Sequence, residues 1–248
     1  MNTKLRNYLS ALLFSSLLPS AAHADFLSIS AGGGIWSETP DGSFYKAGDT
    51  PLNVKDQLLW DEGKQGYAFA TLEHFVPLVP NAKIIYTRLE HGGSGNGNFT
   101  FNGVNYNGAF SNDLSMETLD LLLYYEVLDN VVSLDLGLNL RTLNIDYSIT
   151  DSTTGITDTS KADSVAPMIY VLVGASPLPD LIISGELSYL SYDGNTMSDF
   201  TAKIAYTTSF FVGFEAGYRR QELVLDDIDS TFADLTFAGP FAGAYVKF

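Results

Sequence analysis

The sequence predicts an all-β protein: a closed antiparallel up-and-down transmembrane β-barrel of about ten strands. Three observations predict it. Side-chain character alternates with a period of two over stretches about nine residues long. The connections between those stretches alternate between short and long. The chain opens with an export signal, yet no later segment is apolar enough to cross a membrane as a helix.

The alternation is clearest across Met116 to Arg141. Leu119, Leu121, Leu123, Tyr125 and Val127 form one apolar row, and Thr118, Asp120, Leu122, Tyr124 and Glu126 form the other. After a tight turn at Asp129 and Asn130 the pattern resumes. Val132, Leu134, Leu136, Leu138 and Leu140 are apolar, while Ser133, Asp135, Gly137, Asn139 and Arg141 are polar or glycine. Successive side chains of a strand point to opposite faces, so this is a hairpin with one oily and one polar side. A tilted strand crossing a bilayer needs about 9–11 residues, whereas a strand in a soluble protein averages about 5–6.

Residues 1–24 read as a secretory signal peptide. Lys4 and Arg6 give a positive start, residues 9–18 form a short apolar run, and Ala22-His23-Ala24 is a small-x-small cleavage site before Asp25. Residues 25–248 are then a single barrel domain. There is no Cys, which excludes disulfides and thiolate metal sites. Removing Lys4 and Arg6 leaves 11 basic against 29 acidic residues, a net charge of −18. Such a chain does not bind nucleic acid through phosphate contacts. Even so, 46% of residues are hydrophobic. A polar average built from alternating rows is the mark of a membrane barrel.

The first strand is expected over residues 26–36, with Leu27, Ile29, Ala31, Gly33 and Ile35 opposite Ser28, Ser30, Gly32 and Gly34. A long loop is expected over 37–64. The second strand, 65–76, sorts its faces poorly, and a short turn leads to the third at 82–90. A Gly/Asn-rich loop follows over 91–113, in which Phe99, Phe101, Tyr106 and Phe110 suggest a small extra hairpin. Beyond the central hairpin come a Ser/Thr/Asp-rich loop (148–163), a sixth strand (164–175) weakened by Pro167, and a seventh from Leu181. A very short Asp193-Gly194-Asn195 connection leads to the eighth. The ninth includes Phe210, Val212, Phe214, Ala216 and Tyr218. An acidic loop (222–229) and a tenth strand (235–248) end the chain. Short turns follow the even strands and mostly long connections the odd ones. An outer-membrane barrel sorts its turns in this way, with short turns and termini in the periplasm.

The inner rows gather charge of both signs at Asp120, Glu126, Asp135, Arg141, Glu186, Lys203, Glu215 and Arg219. Two readings follow: salt bridges plugging a narrow tube, or a cation-preferring lumen. Unpaired burial is costly and small barrels have filled interiors, which favours the plug. Trp36, Tyr67, Tyr192, Phe200 and Tyr218 are expected in an outer aromatic belt, and Phe26, Phe75, Tyr125, Phe210 and Phe248 in an inner one. His91 beside Glu90 is weighed as a rim acid/base pair against a solvated loop residue, and the solvated reading is favoured. Asp226-Asp227-Ile228-Asp229 is weighed as a cation site against an acidic solvated loop, again with the bland reading favoured. No enzyme activity and no cofactor are expected.

The last strand ends Ala244-Tyr245-Val246-Lys247-Phe248, with Phe248, Val246, Ala244 and Ala242 at alternate positions. That end resembles the assembly signal of bacterial outer-membrane proteins, with Val246 where the class commonly has Tyr. With Gly32-Gly33 near the mature start, the whole chain resembles the small, mostly uncharacterised outer-membrane β-barrel proteins of Gram-negative bacteria. The resemblance implies an outer-membrane location, with outer-membrane lipid, lipopolysaccharide and the barrel-assembly machinery as partners, and it implies no activity. An external ligand at the loops is open. A narrow cation-preferring, porin-like channel is the alternative function. A soluble periplasmic, lipocalin-like carrier of an apolar ligand is a distant third, because its apolar rows would have to point inward.

Overall fold

The computed structural model describes residues 27–228 and 230–248. The signal peptide at 1–24, Phe26 of the expected first strand and Asp229 of the acidic cluster lie outside them. Eleven strands run in chain order: β1 (Leu27–Lys46), β2 (Leu52–Asn53), β3 (Gly63–His74), β4 (Asn81–Phe101), β5 (Val104–Asp129), β6 (Val132–Asp151), β7 (Thr157–Leu178), β8 (Leu181–Tyr192), β9 (Asn195–Thr207), β10 (Val212–Ile228) and β11 (Thr231–Lys247). Ten of them pair antiparallel with their neighbours, and β11 returns to pair with β1, so the sheet closes on itself. The two-residue β2 pairs only along the far end of β1, Phe44 facing Leu52. Closure leaves no free edge where the ring is complete.

The period of two sets the facing. Leu121, Leu136 and Phe214 are exposed on the outer wall, whereas Asp135 and Arg219 are buried inside. The facing that the sequence left open for the second and third strands is odd-inward. Gln65, Tyr67, Phe69, Thr71 and Glu73 of β3, and Lys83, Ile85, Thr87 and Leu89 of β4, point into the tube. Two aromatics assigned to an outer belt fall on the inner row instead. Trp36 is fully buried and Tyr67 faces the lumen, because their numbers have inward parity on β1 and β3. Tyr192, Phe200 and Tyr218 are exposed outside, as are Phe75, Tyr125, Phe210 and Phe248 at the opposite end.

The long loops expected after the odd strands are mostly strand. β4 and β5 stay paired from Asn81↔Tyr124 up to Phe101↔Val104, and β6 and β7 from Val132↔Ala175 up to Thr150↔Thr157. The reason is visible in the residues. Gly93, Gly95, Gly97, Phe99 and Phe101 keep one parity on β4, beside the inward Tyr106, Phe110 and Leu114 of the adjacent β5. Thus Phe99, Tyr106 and Phe110 belong to the main hairpin, not to a separate small one. The acidic segment 222–228 likewise continues β10. The four strands β4–β7 and the three strands β10, β11 and β1 rise past the short β8–β9 hairpin. Between them they enclose an apolar core of Trp36, Phe44, Trp60, Phe101, Tyr147, Phe237 and their neighbours.

The seam explains the glycines of β1. Gly32 faces Tyr245 and Gly34 faces Gly243 across the β1–β11 ladder. A Cβ on Gly34 would meet the Ala242 carbonyl oxygen at 2.2 Å and the Tyr67 hydroxyl at 2.7 Å, and one on Gly32 would meet Tyr245 Cβ at 2.5 Å. Glycine therefore lets the Tyr67, Phe241 and Tyr245 side chains pack beside the closing strand pair. We predict that Gly32→Val with Gly34→Val blocks closure, since overpacking costs about 1–3 kcal/mol per site. Refolding followed by electrophoresis of unheated samples checks this. The double variant should run at the unfolded position, where the native chain runs folded.

Candidate functional site: a charge-paired lumen under an aromatic cap

The inward rows of β5, β6, β9 and β10 bring Asp120, Arg141, Asp199 and Arg219 to one level of the tube. All four are buried. Asp199 is the node. Arg219 donates to it from Nε at 3.0 Å and from Nη2 at 2.7 Å, Arg141 from Nη2 at 2.5 Å, and Gln221 from Nε2 at 2.7 Å. Arg141 also grips Asp120, with Nε to Oδ1 at 2.7 Å and Nη2 to Oδ2 at 3.1 Å, and Asn139 donates to the same carboxylate at 2.6 Å. The remaining Arg219 nitrogen, Nη1, donates to Thr87 at 3.0 Å, and its guanidinium lies 4.9 Å from the Trp36 ring centre. Two guanidinium forks thus meet two carboxylates, so the level is neutral and most of its donors are used.

A second level lies nearer the chain termini. Lys83 donates to Glu186 Oε2 at 2.8 Å, Lys203 forms an ion pair with Glu186 Oε1 at 2.8 Å, and Lys203 is 3.5 Å from Glu215. Tyr67 donates to Glu215 at 2.7 Å. Two lysines again balance two carboxylates. Beyond them the balance ends. Asp135 is buried, and the Tyr124 hydroxyl donates to Glu73 at 3.0 Å. Glu126, placed in the cluster by sequence, does not join it: it is exposed at the terminal mouth, where it faces Asp135 across the β5–β6 ladder. The β5–β6 register shifts between Glu126 and Leu128, and from Tyr125 to Asn130 every residue is exposed. Seven of the eight sequence-predicted charges are therefore inside and one is at the rim. Asp199 and Lys83 were missed although both lie on inward rows. Asp199 had a signal in its place beside Arg219's strand, while Lys83 had none, because its strand's facing was unresolved.

The space left between the two levels is about 70 Å³, lined by Tyr67, Lys83, Asp120, Arg141, Asp199, Lys203 and their neighbours. Trp36, Phe69, Leu122 and Phe241 line it beside the charged groups, and at this size it holds a few waters at most. The final strand adds one local repair. Its pairing with β1 skips Gly239 and Pro240, and there the Trp36 indole Nε1 donates to the Gly239 carbonyl at 3.1 Å.

Above the charges, residues 52–60 turn into the tube and close it. Leu52, Val54, Leu58 and Trp60 are buried. Asn112 holds this segment, accepting from Trp60 Nε1 at 2.5 Å and donating to the Leu58 carbonyl at 2.8 Å. Gly93 makes the passage possible, since a Cβ there would lie 1.9 Å from the Leu58 oxygen. His91 is not the solvated loop residue that its position suggested, nor does it pair with Glu90. Its Nε2 lies 2.8 Å from Glu38, both side chains are buried, and its ring is stacked between Trp60 and Phe237 at 5.6 and 5.5 Å. Gln65 completes this corner by donating to Glu38 at 3.2 Å. Higher still, burial and the nearby Asp158 and Asp151 push the Tyr106 phenol up to about 12, and burial pushes Tyr147 further up.

No protein-family model matches the sequence, and no curated protein matches it. Among solved structures, the translocator domain of the autotransporter NalP from Neisseria meningitidis is similar with a TM-score of 0.43 at 11% identity, covering 99% of this chain and 95% of that one. A major outer membrane protein from Thermus thermophilus gives 0.40 at 14% identity, over 90% and 98% of the two chains. Ail, the attachment invasion locus protein of Yersinia pestis, gives 0.37 at 10% identity, over 90% and 99%, in its complex with the heparin analogue sucrose octasulfate. At such scores the likeness transfers no ligand, partner or activity to this chain.

Two outcomes are expected. Asp199→Leu strips the shared acceptor from two buried guanidinium groups, and breaking a buried pair in this way costs about 3–5 kcal/mol. Urea unfolding of the protein in vesicles should show that loss, and a loss under about 1 kcal/mol would contradict the node. The Tyr106 shift sets a pH window. Its folded-state value lies above the unfolded one, so its contribution is complete below the ordinary phenol value of 10.0 and is lost as pH rises towards about 12. Phenolate absorbance of the native chain minus that of Tyr106→Phe should show this one tyrosine ionising near the upper limit.

Proposed function

We propose that this chain is an integral outer-membrane β-barrel whose lumen is plugged, and that it serves as a structural or surface-binding component of the membrane rather than as a catalyst or open channel. The observation that carries the proposal is the filled interior. Two neutral charge-paired levels and a buried aromatic cap follow one another along the same tube, leaving about 70 Å³ between the charges. A ring of ten strands is narrow enough for side chains to fill it.

The membrane placement rests on the outer wall. Leu119, Leu121 and Leu123, Leu136, Leu138 and Leu140, and Ile169 and Val173 form an exposed apolar band with aromatics at both margins. Lipid is the surrounding that such a band suits, and water would oppose it. A soluble carrier would need those rows inside. The short turns lie at the same end as Leu27 and Phe248, the first and last described residues, with Phe248 exchanging backbone hydrogen bonds with Ile29 at 2.8 and 2.9 Å. We place that end in the periplasm and the tall hairpins outside, where their tips face lipopolysaccharide and any external ligand. Phe248, Val246 and Ala244 all face outward on the last strand. This is the side that an assembly machine meeting the unclosed strand would touch, and the proposal counts them as its signal. With the glycines of β1, they support a place for the chain among the small outer-membrane barrels that it resembles.

A second reading has one observation in its favour. Glu73, Asp135 and Glu126 make the terminal mouth acidic, which suits a narrow cation path if the plug moves. Conductance in a planar bilayer separates the two. The refolded chain should give no stepwise conductance in potassium chloride, while Arg141→Ala with Arg219→Ala should give steps. Well-defined cation-selective steps from the unaltered chain would overturn the plug.

A further inference from the structure

The wall of the tall half has two places where neighbouring strands part. Between β3 and β4, pairing stops at Tyr67↔Thr87. That gap is sealed. The Gln65 side chain donates to the Glu90 carbonyl at 2.9 Å and accepts from the Glu90 amide at 3.2 Å, replacing the missing strand, and residues 52–60 fill the space behind. Between β7 and β8, pairing stops at Ile169↔Tyr189, because the β8–β9 hairpin turns back at Asp193 and Gly194. Above it β7 runs on to Thr157 with β6 as its paired neighbour, and β10 stands across the gap. Here there is a cleft of about 260 Å³.

Its lining shows that it passes through the wall. Leu143, Ala166, Met197 and Leu223 belong to inward rows, whereas Val165 and Tyr192 belong to the outer surface and are strongly exposed. Inside, the cleft adjoins a second space of about 100 Å³ against Trp60 and Phe101, and the two share Ile145, Ala162, Leu223, Leu225 and Ile228. Outside, its mouth sits at the upper margin of the apolar band, between Val165 and Tyr192. An apolar cavity of about 150 Å³ takes benzene and stays dry, so this one admits something longer. The upper rim is acidic. Asp163 lines it and Asp226 sits beside Gly194 and Asn195, while the two lysines at the adjoining space are already bonded, Lys161 to Asp146 at 2.5 Å and Lys46 to Thr231 at 2.7 Å. Such a rim repels an anionic head group.

We propose that the cleft between β7 and the β8–β10 wall is a binding site for an uncharged, elongated apolar molecule, which enters sideways at the outer edge of the lipid band and lodges against the aromatic cap. The proposal rests on the membrane placement given above. It asks nothing of the lumen, which stays closed beneath it.

Photolabelling of the full chain refolded in phosphatidylcholine vesicles tests this. The probe is a long-chain alkanol with a terminal diazirine, and labelled residues are mapped by mass spectrometry of peptides. Label is expected on Ile145, Met197 or Leu225. It should be lost with excess unlabelled n-alkane, and lost in Ala162→Phe and Met197→Trp variants that retain folded electrophoretic mobility. If neither variant folds, alkane competition on the unaltered chain decides. Label confined to the outer wall, at Leu138 and Ile169, overturns the site. So does cleft label that alkane does not displace, cleft label obtained only from a diazirine phosphatidylcholine (a bilayer tail), or equal cleft label from a diazirine fatty acid. Failure of the membrane placement looks different: the phosphatidylcholine probe would then leave Leu138 and Ile169 unlabelled as well.

Discussion

A ring of strands closed by β11 on β1 fixes which side of every residue is inside. Once the outer side is apolar, polar side chains of the ring have only the tube to enter, and there they are short of water. They must then satisfy one another. The Asp199 node and the Glu186 level are the consequence: each carries two cations against two carboxylates, drawn from strands far apart in sequence. The same constraint acts on the backbone. Where pairing stops, at β3–β4, a glutamine side chain takes over the strand's hydrogen bonds. Where it stops at β7–β8 nothing comparable stands in among the described residues, and a cleft results.

The interior changes character along its length. At the terminal end carboxylates lie beside Leu122, Tyr124 and Tyr170, at mid-height it is ion-paired, and in the tall half it is aromatic. That order follows from the sequence of each inward row. β5, for example, runs from Tyr106 and Phe110 through Leu114 and Met116 to Asp120, and β6 from Asp135 through Arg141 to Tyr147 and Ile149. Because the cap packs on its own apolar contacts and the levels below pair among themselves, the tall half is a small globular core standing on an ion-paired tube. The His91–Glu38 pair, stacked between Trp60 and Phe237, joins the two parts.

Much of this was legible in the residues. The strand period, the ten-strand ring, the outward facing of Leu121, Leu136 and Phe214, and the interior position of Asp135, Arg141, Glu186 and Arg219 all follow from parity. What was not legible has physical causes. Gly-rich and Asp-rich stretches such as 91–101 and 222–228 read as loops by composition, yet tertiary packing of alternate Gly, Phe and Leu holds them as strands. Trp36 and Tyr67 lie near the ends of the strands expected from sequence, where belts are expected, but parity turns both side chains inward. Asp199 on β9 acquires its role only when Arg141 on β6, with β7 and β8 between them in the ring, reaches it across the lumen. The inward turn of residues 52–60 depends on Gly93 and Asn112, which no local pattern connects to Leu58 or Trp60.

The alternation of outer and inner rows can be measured directly, because the chain has no cysteine of its own. Single cysteines placed in turn from Thr118 to Tyr125, carrying a nitroxide in bilayer-reconstituted protein, report collision with oxygen dissolved in lipid. The account gives high collision rates at 119, 121, 123 and 125 and low rates at 118, 120, 122 and 124. A flat profile, or one with those two sets exchanged, would contradict it.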